Sequence, residues 1–279
     1  MSLVFNWALS PLELLGNATS LILASGVFGV IALLCFKQIS WQRGIRLTKD
    51  KIKGHMIAIR IYQDDLGIVI GSVGKVLLWN FQYLGLNIVP IVPLFAPFLL
   101  VASQLVVRYA FAPLPLLSER DVASVPGTAV MVEVRMKEGR EAEVSQLALE
   151  LPPILKALSP LACNAKDGVA VLEFGAVQSG TADIVLRVDG KDVGTKSVSA
   201  GTASSRLMQP ERVSGFWESW LWPAEPTFST DSPVDSVRFV YPDRDLGFLP
   251  GGAVGVLLTF FVASIVFGVV LLKPLNIQI

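Results

Sequence analysis

FKQISWQRGIRLTKDKIKGHMIAIRIYQDD, Phe36 to Asp65, decides how this chain is organised. Its first 25 positions hold seven basic residues, Lys37, Arg43, Arg46, Lys49, Lys51, Lys53 and Arg60, against one acid, Asp50. An uncharged apolar run precedes it and another long apolar run follows. Lys and Arg beside the ends of membrane spans are retained on the cytoplasmic side, so a basic stretch between two spans sets the orientation of both. Nucleic-acid binding is the other reading of such a run, and its position between two spans makes that unnecessary; no DNA partner is expected.

Working outward, three stretches read as spans. They are Thr19–Phe36 and Gly251–Leu272, both uncharged, and Ile88–Ala112, whose only charge is Arg108. About 20 apolar residues in helical rise cross the hydrocarbon core. Composition agrees: 52% of the 279 residues are hydrophobic, 16% are charged, and mean hydropathy is +0.58. The net charge of zero hides an asymmetry, because Glu119 to Asp245 holds 13 Lys and Arg against 19 Asp and Glu. No basic n-region precedes Thr19 and no small-residue cleavage site follows it, so no signal peptide is expected. The expected plan is an interfacial segment (1–18), a first span (19–36), a cytoplasmic basic hairpin (37–87) and a second span (88–112). An extracytoplasmic β-domain (119–247), a third span (251–272) and a cytoplasmic tail (273–279) complete it. The N-terminus then lies outside, and Arg108 lies near the outer end of span two, where it can snorkel towards headgroups beside Tyr109.

Within this plan, LVFNWALSPLELLGN carries Phe5, Trp7, Leu12 and Leu15 with the single acid Glu13, and reads as an interfacial helix or as an unstructured terminus. In the basic loop Ile45, Ile52 and Ile59 repeat every seven residues, with Arg46, Lys53 and Arg60 on the adjacent line. After the turn residues Gln63–Gly67, Ile70, Val73, Leu77, Phe81 and Leu84 form a second apolar stripe. Two amphipathic helices in an antiparallel hairpin follow, the second weakened by Gly71 and Gly74. Pro90, Pro93 and Pro97 fall near one face, so a kinked or wide first turn of span two is expected. From Glu119 to Gly247 the period changes to two. Val130, Val132, Val134 and Met136 alternate with Met131, Glu133 and Arg135, and Asp189-Gly190 signals a two-residue hairpin. The expected fold class is therefore membrane α-helical with an all-β sandwich of immunoglobulin-like size. LELPPILKALSPL, from Leu149, is expected to interrupt the sandwich with a short helix. Phe216, Trp217, Trp220 and Trp222 form either an aromatic belt at the headgroups or a packed loop.

The chemistry excluded is broad. The one histidine, His55, lies in the hairpin, so no Ser/His or Cys/His system is available to the outer domain. Cys35 and Cys163 fall in different compartments, and no cluster has zinc spacing. Asp64 and Asp65 suit a hairpin tip. No phosphate loop appears, and no acid lies within the spans. No enzyme activity, catalytic residue, metal or cofactor is expected. The polar atoms of the spans remain: Ser20, Ser25, Ser103, Gln104, Thr259 and Ser264, with Gln104 and Arg108 one turn apart on a shared face. They serve helix–helix hydrogen bonds or line a shallow hydrophilic groove.

Span, basic hairpin, proline-rich bend and returning span together resemble the YidC/Oxa superfamily of membrane-protein insertases. The local likeness is strongest at LLWNFQYLGLNIVPIVPLFAPFLL, Leu77 to Leu100, through Asn87, Pro90, Pro93 and Pro97. The family's groove arginine has no counterpart in Thr19–Phe36, and the outer β-domain is added to the family's minimal plan. The resemblance implies that the basic hairpin meets a ribosome or an unfolded substrate. It also implies that a groove containing Ser25, Ser103, Gln104, Arg108, Thr259 and Ser264 hydrates part of a membrane-protein substrate inside the bilayer. The competing expectation is a structural subunit of a larger membrane complex, docking partner subunits through the spans and β-domain. The absence of disulfides suits a bacterial inner membrane.

Overall fold

The structure, a computed structural model, describes residues 2–117, 129–202, 207–275 and 277. The expected β-domain and tail therefore lie partly outside the described residues, at 119–128, 203–206, 276 and 278–279. Six helices are present among the described residues: α1 (Ser2–Glu13), α2 (Asn17–Ile39), α3 (Gln42–Ile61), α4 (Leu66–Ile88), α5 (Ile91–Tyr109) and α6 (Gly252–Leu272). Three apolar helical stretches are long enough to cross a membrane: α2, α6 and a 44-residue stretch, Leu66–Tyr109, in which α4 and α5 are joined. Compactness divides the chain into two units, Met1–Leu21 with Leu100–Leu258 and Ile22–Leu99 with Thr259–Ile279.

In the second unit, α2 and α6 meet through small residues. A Cβ on Gly29 would lie 2.7 Å from the Ser264 Cα, and one on Gly26 would lie 2.6 Å from the Phe267 ring. Without a driving force from water, spanning helices associate through such close backbone approach. The Ser264 hydroxyl donates to the Ser25 carbonyl at 2.9 Å. Phe28, Phe98 and Phe260 stack beside this contact, with ring centroids 4.9–6.1 Å apart. Leu33, Phe36 and Ile277 close its other end.

The first unit contains the β region, nine strands among the described residues. They are β1 (Val130–Met136), β2 (Leu147–Glu150), β3 (Leu155–Ala157), β4 (Ala162–Asn164), β5 (Val169–Ala176), β6 (Gly180–Val188), β7 (Lys191–Ala200), β8 (Glu211–Val213) and β9 (Val234–Arg238). One antiparallel sheet runs β3-β5-β1-β9-β8 with β4 also on β5, and a second runs β2-β6-β7. Val132, Val134 and Met136 of β1 are buried while Met131 and Arg135 are exposed, which is the period of two that the sequence carries. Asp189 and Gly190 link β6 to β7 with φ of 51° and 74°, the paired positive values of a type I′ turn.

The expected short helix after Leu149 is absent. That stretch forms the end of β2, a turn at Pro152-Pro153 and strand β3, and the helical turn lies earlier, at Glu141–Gln146. Two adjacent prolines cannot sustain a helical hydrogen-bond ladder, but they serve a strand-linking turn. The segment after α5 laces both sheets, through bridges of Leu114 to Ala200 and Leu116 to Ala176. Where the chain enters and leaves the β region it is hydrogen-bonded to itself. Ala112 N donates to the Pro242 carbonyl at 2.8 Å, and Arg244 N donates to the Ala110 carbonyl at 2.9 Å.

A charge sits inside this unit. Lys196 shares its strand parity with Val198 and Ala200 and is fully buried. Its ammonium donates to the Gln209 carbonyl at 2.7 Å and to Glu225, and lies 5.1 Å from the Phe239 ring centroid. Gln209 Oε1 accepts from Ala224 N and Glu225 N, which fixes the loop that delivers the carboxylate. Burial pushes the Lys196 ammonium below its usual range, and Glu225 opposes that shift. Glu225→Gln should cost about 3–5 kcal/mol at neutral pH, because it strands a buried cation. A Lys with a depressed folded pKa binds fewer protons folded than unfolded, so folding stability rises as pH approaches the unfolded value of about 10.4. The deficit of the variant should therefore narrow between neutral pH and about pH 10, as read by tryptophan-fluorescence melts of the full chain.

Candidate functional site

The polar residues singled out from the spans acquire different partners. In the first unit, α5 presents Gln104, Arg108 and Tyr109 as buried residues. Arg108 is only 2% exposed, and its Nη1 donates to Glu13 Oε1 at 2.5 Å. The snorkelling expected of Arg108 is thus corrected. The guanidinium has a carboxylate at hand, and a charge-assisted bond inside protein satisfies it better than an extended reach to headgroups. The neighbouring geometry explains how Glu13 arrives there. α1 ends at Glu13, Gly16 turns the chain with φ of 93°, and α2 starts at Asn17. The Ser20 hydroxyl donates back to the Gly16 and Leu12 carbonyls and ties the turn to the first turn of α2. The segment read as either an interfacial helix or an unstructured terminus is therefore a helix, and Trp7 on it is exposed.

Gln104 lies one turn before Arg108 and is also 2% exposed. Neither its amide nitrogen nor its amide oxygen has a hydrogen-bond partner among the described residues. A buried polar group in that condition costs about 1–3 kcal/mol. Ser103, beside it, donates to the Leu100 carbonyl of its own helix at 3.0 Å. In the second unit, Ser264 and Ser25 form the helix–helix bond described above, and Thr259 is buried on α6.

The hairpin is built as the period of seven dictates on one side only. Ile45, Ile52 and Ile59 lie on the α3 face turned to α4, with Ile45 and Thr48 fully buried. Asp65 caps α4, its Oδ1 accepting from Gly67 N at 3.0 Å and Ile68 N at 3.2 Å, which gives Asp65 a structural role. The stripe expected to face α3 does not do so. Val69, Ser72, Val76, Trp79 and Tyr83 are the covered positions, whereas Ile70, Val73, Leu77, Phe81 and Leu84 are exposed. At 100° per residue the two stripes stand roughly 120° apart. α4 is apolar on both, so periodicity alone does not select a face.

Arg43, Arg46, Lys51, Lys53 and Arg60 are exposed on α3, and Lys49 is half-buried. Lys51 Nζ stands 3.8 Å from the Trp79 ring centroid and Lys49 Nζ 5.4 Å from that of Tyr83. Asn87 donates to the Tyr83 carbonyl at 2.7 Å, one turn before the helix breaks. The helix is interrupted at Val89-Pro90, and Pro93 and Pro97 lie within α5, Pro93 in its first turn. The aromatic residues 216–222 divide. Phe216, Trp217 and Trp220 stack on one another with centroids 5.4–6.2 Å apart, and Phe216 and Trp217 are exposed. Trp222 packs on Phe111, two residues beyond the end of α5.

Sequence reasoning missed Glu13 as the partner of Arg108. The signal was present, since each is the single charge of an otherwise apolar segment, but nothing local links positions 95 apart. Among the described residues no cluster of three or more metal-ligating side chains occurs. Comparison with protein-family models, curated proteins and solved structures found no match to this chain.

Proposed function

We propose that the chain is an insertase-like integral membrane protein of YidC/Oxa ancestry that assists insertion or assembly of other membrane proteins. In this reading the N-terminus lies outside, the basic hairpin and C-terminus lie in the cytoplasm, and the β region is an extracytoplasmic sandwich at a bacterial inner membrane. The observation that carries it is Gln104, a buried amide without a partner among the described residues, on a helix apolar enough to span. A polar segment passing through lipid gains most where such a group offers hydrogen bonds, since unpaired polar groups there cost several kcal/mol at least. The hairpin of α3 and α4, placed between spanning helices, supports a role in receiving substrate. A photocrosslinking amino acid at position 104 should capture stalled nascent membrane proteins of several sequences. Capture of one unchanging partner protein would instead identify a structural subunit. That second reading is favoured by Glu13, which neutralises the one cation of α5 and leaves no free positive charge there to attract an acidic substrate tail.

A further inference from the structure

We propose that the α3–α4 hairpin docks on an anionic lipid leaflet, with the outer stripe of α4 immersed at the acyl boundary and the basic residues of α3 at the phosphate headgroups. The outer stripe is the starting point. Ile70 and Phe81 are 70% and 73% exposed, Val73 and Leu77 lie between them in helical register, Leu84 continues the stripe beyond Phe81, and Leu78 flanks them. Contiguous apolar surface of this kind marks a protein or membrane contact. Only one charge, Lys75, occurs in the 23 residues of α4.

Two features select lipid as the occupant. The first is continuity: α4 leads through Val89-Pro90 into α5, and Leu66–Tyr109 is a single apolar stretch. A helix joined so closely to a spanning segment starts at the depth where an interfacial helix rests. The second is charge complementarity: α3 carries Arg43, Arg46, Lys49, Lys51, Lys53 and Arg60 against Asp50 alone. Polybasic segments beside a membrane are held by anionic lipid, each cation adding to the attraction within a Debye length. Lys51 over Trp79 and Lys49 near Tyr83 combine ammonium and amphipathic ring, the pairing suited to headgroup level. The hairpin thus divides the work between its helices: α4 supplies the apolar immersion and α3 the charge. This contact requires no insertion activity, so it stands or falls separately from the function proposed above.

The test uses the full chain with Cys35→Ser and Cys163→Ser and a single environment-sensitive fluorophore on Phe81→Cys or on Lys53→Cys. It is reconstituted into vesicles of phosphatidylcholine alone or of phosphatidylcholine with phosphatidylglycerol. Expected are blue-shifted emission at position 81, quenching there by brominated acyl chains, and at least twofold weaker quenching at position 53. Arg46→Glu with Lys53→Glu, exposed positions that touch no α4 ring in the structure, should reduce quenching at position 81 in the anionic vesicles to the neutral-vesicle level. Equal quenching in both vesicle types would overturn the electrostatic half. Water-like emission at position 81 in anionic vesicles, or shielding there only when ribosomes are added, would overturn the proposal entirely.

Discussion

Glu13→Gln destabilises the protein by about 3–5 kcal/mol, the usual effect of removing one member of a buried ion pair. The reason is asymmetry. Arg108 is 2% exposed, whereas Glu13 retains 22% exposure. Arg108→Gln therefore has the milder effect, because the remaining carboxylate reaches water. The double variant Glu13→Gln/Arg108→Gln recovers part of the loss, with a coupling of about 0.5–3 kcal/mol. Thermal unfolding of the three variants in one detergent checks the order. A Glu13→Gln variant as stable as the parent would show that the pair does not hold α1 to α5.

Gly29→Leu disrupts the contact of α2 with α6. The space for a side chain is filled by the Ser264 backbone, which cannot rotate out of the way as a flexible side chain could. Overpacking typically costs about 1–3 kcal/mol, and Gly29→Ala already incurs it. Leucine adds three more carbons and breaks the Ser264–Ser25 hydrogen bond, worth about 0.6 kcal/mol on average between spanning helices. Gly71→Ala provides the control. Nothing lies within 4 Å of its Cβ position, and helix propensity favours alanine there by about 0.5–1 kcal/mol. Opposite shifts in unfolding temperature for Gly29→Ala and Gly71→Ala would separate close packing from a general effect of adding a methyl group.

The elements read most directly from sequence are those whose signal is local. Three long apolar runs, a period of two, and Asp189-Gly190 between strands each depend on neighbours within a few residues, and the structure contains each. On α3 the Ile45–Ile52–Ile59 line is buried or half-buried, whereas the apolar residues off that line, Leu47, Met56, Ile57 and Ile61, stand singly among charges and are exposed. α4 has no such contrast. Its apolar residues occupy two stripes, and the choice between them rests on α3, which the spacing within α4 does not encode. The Pro152-Pro153 stretch was ambiguous for a similar reason, since a short apolar run beside prolines suits a helix start and a strand turn alike. The candidate site was legible as residue types and not as pairs. Gln104 and Arg108 stand out as polar positions in an apolar run, but Glu13 completes the arrangement from 95 positions away. Lys196 gave a fainter signal, a lysine on the inward parity of Val198 and Ala200, and its acid lies 29 residues on.

The hydrogen bonds joining 110–112 to 242–244 bring the two ends of the β region together. Both severed ends emerge side by side, so the intervening sequence could be excised and the stumps rejoined by a link of about two to five residues. Segments whose ends lie together in this way are those in which insertion and circular permutation are tolerated.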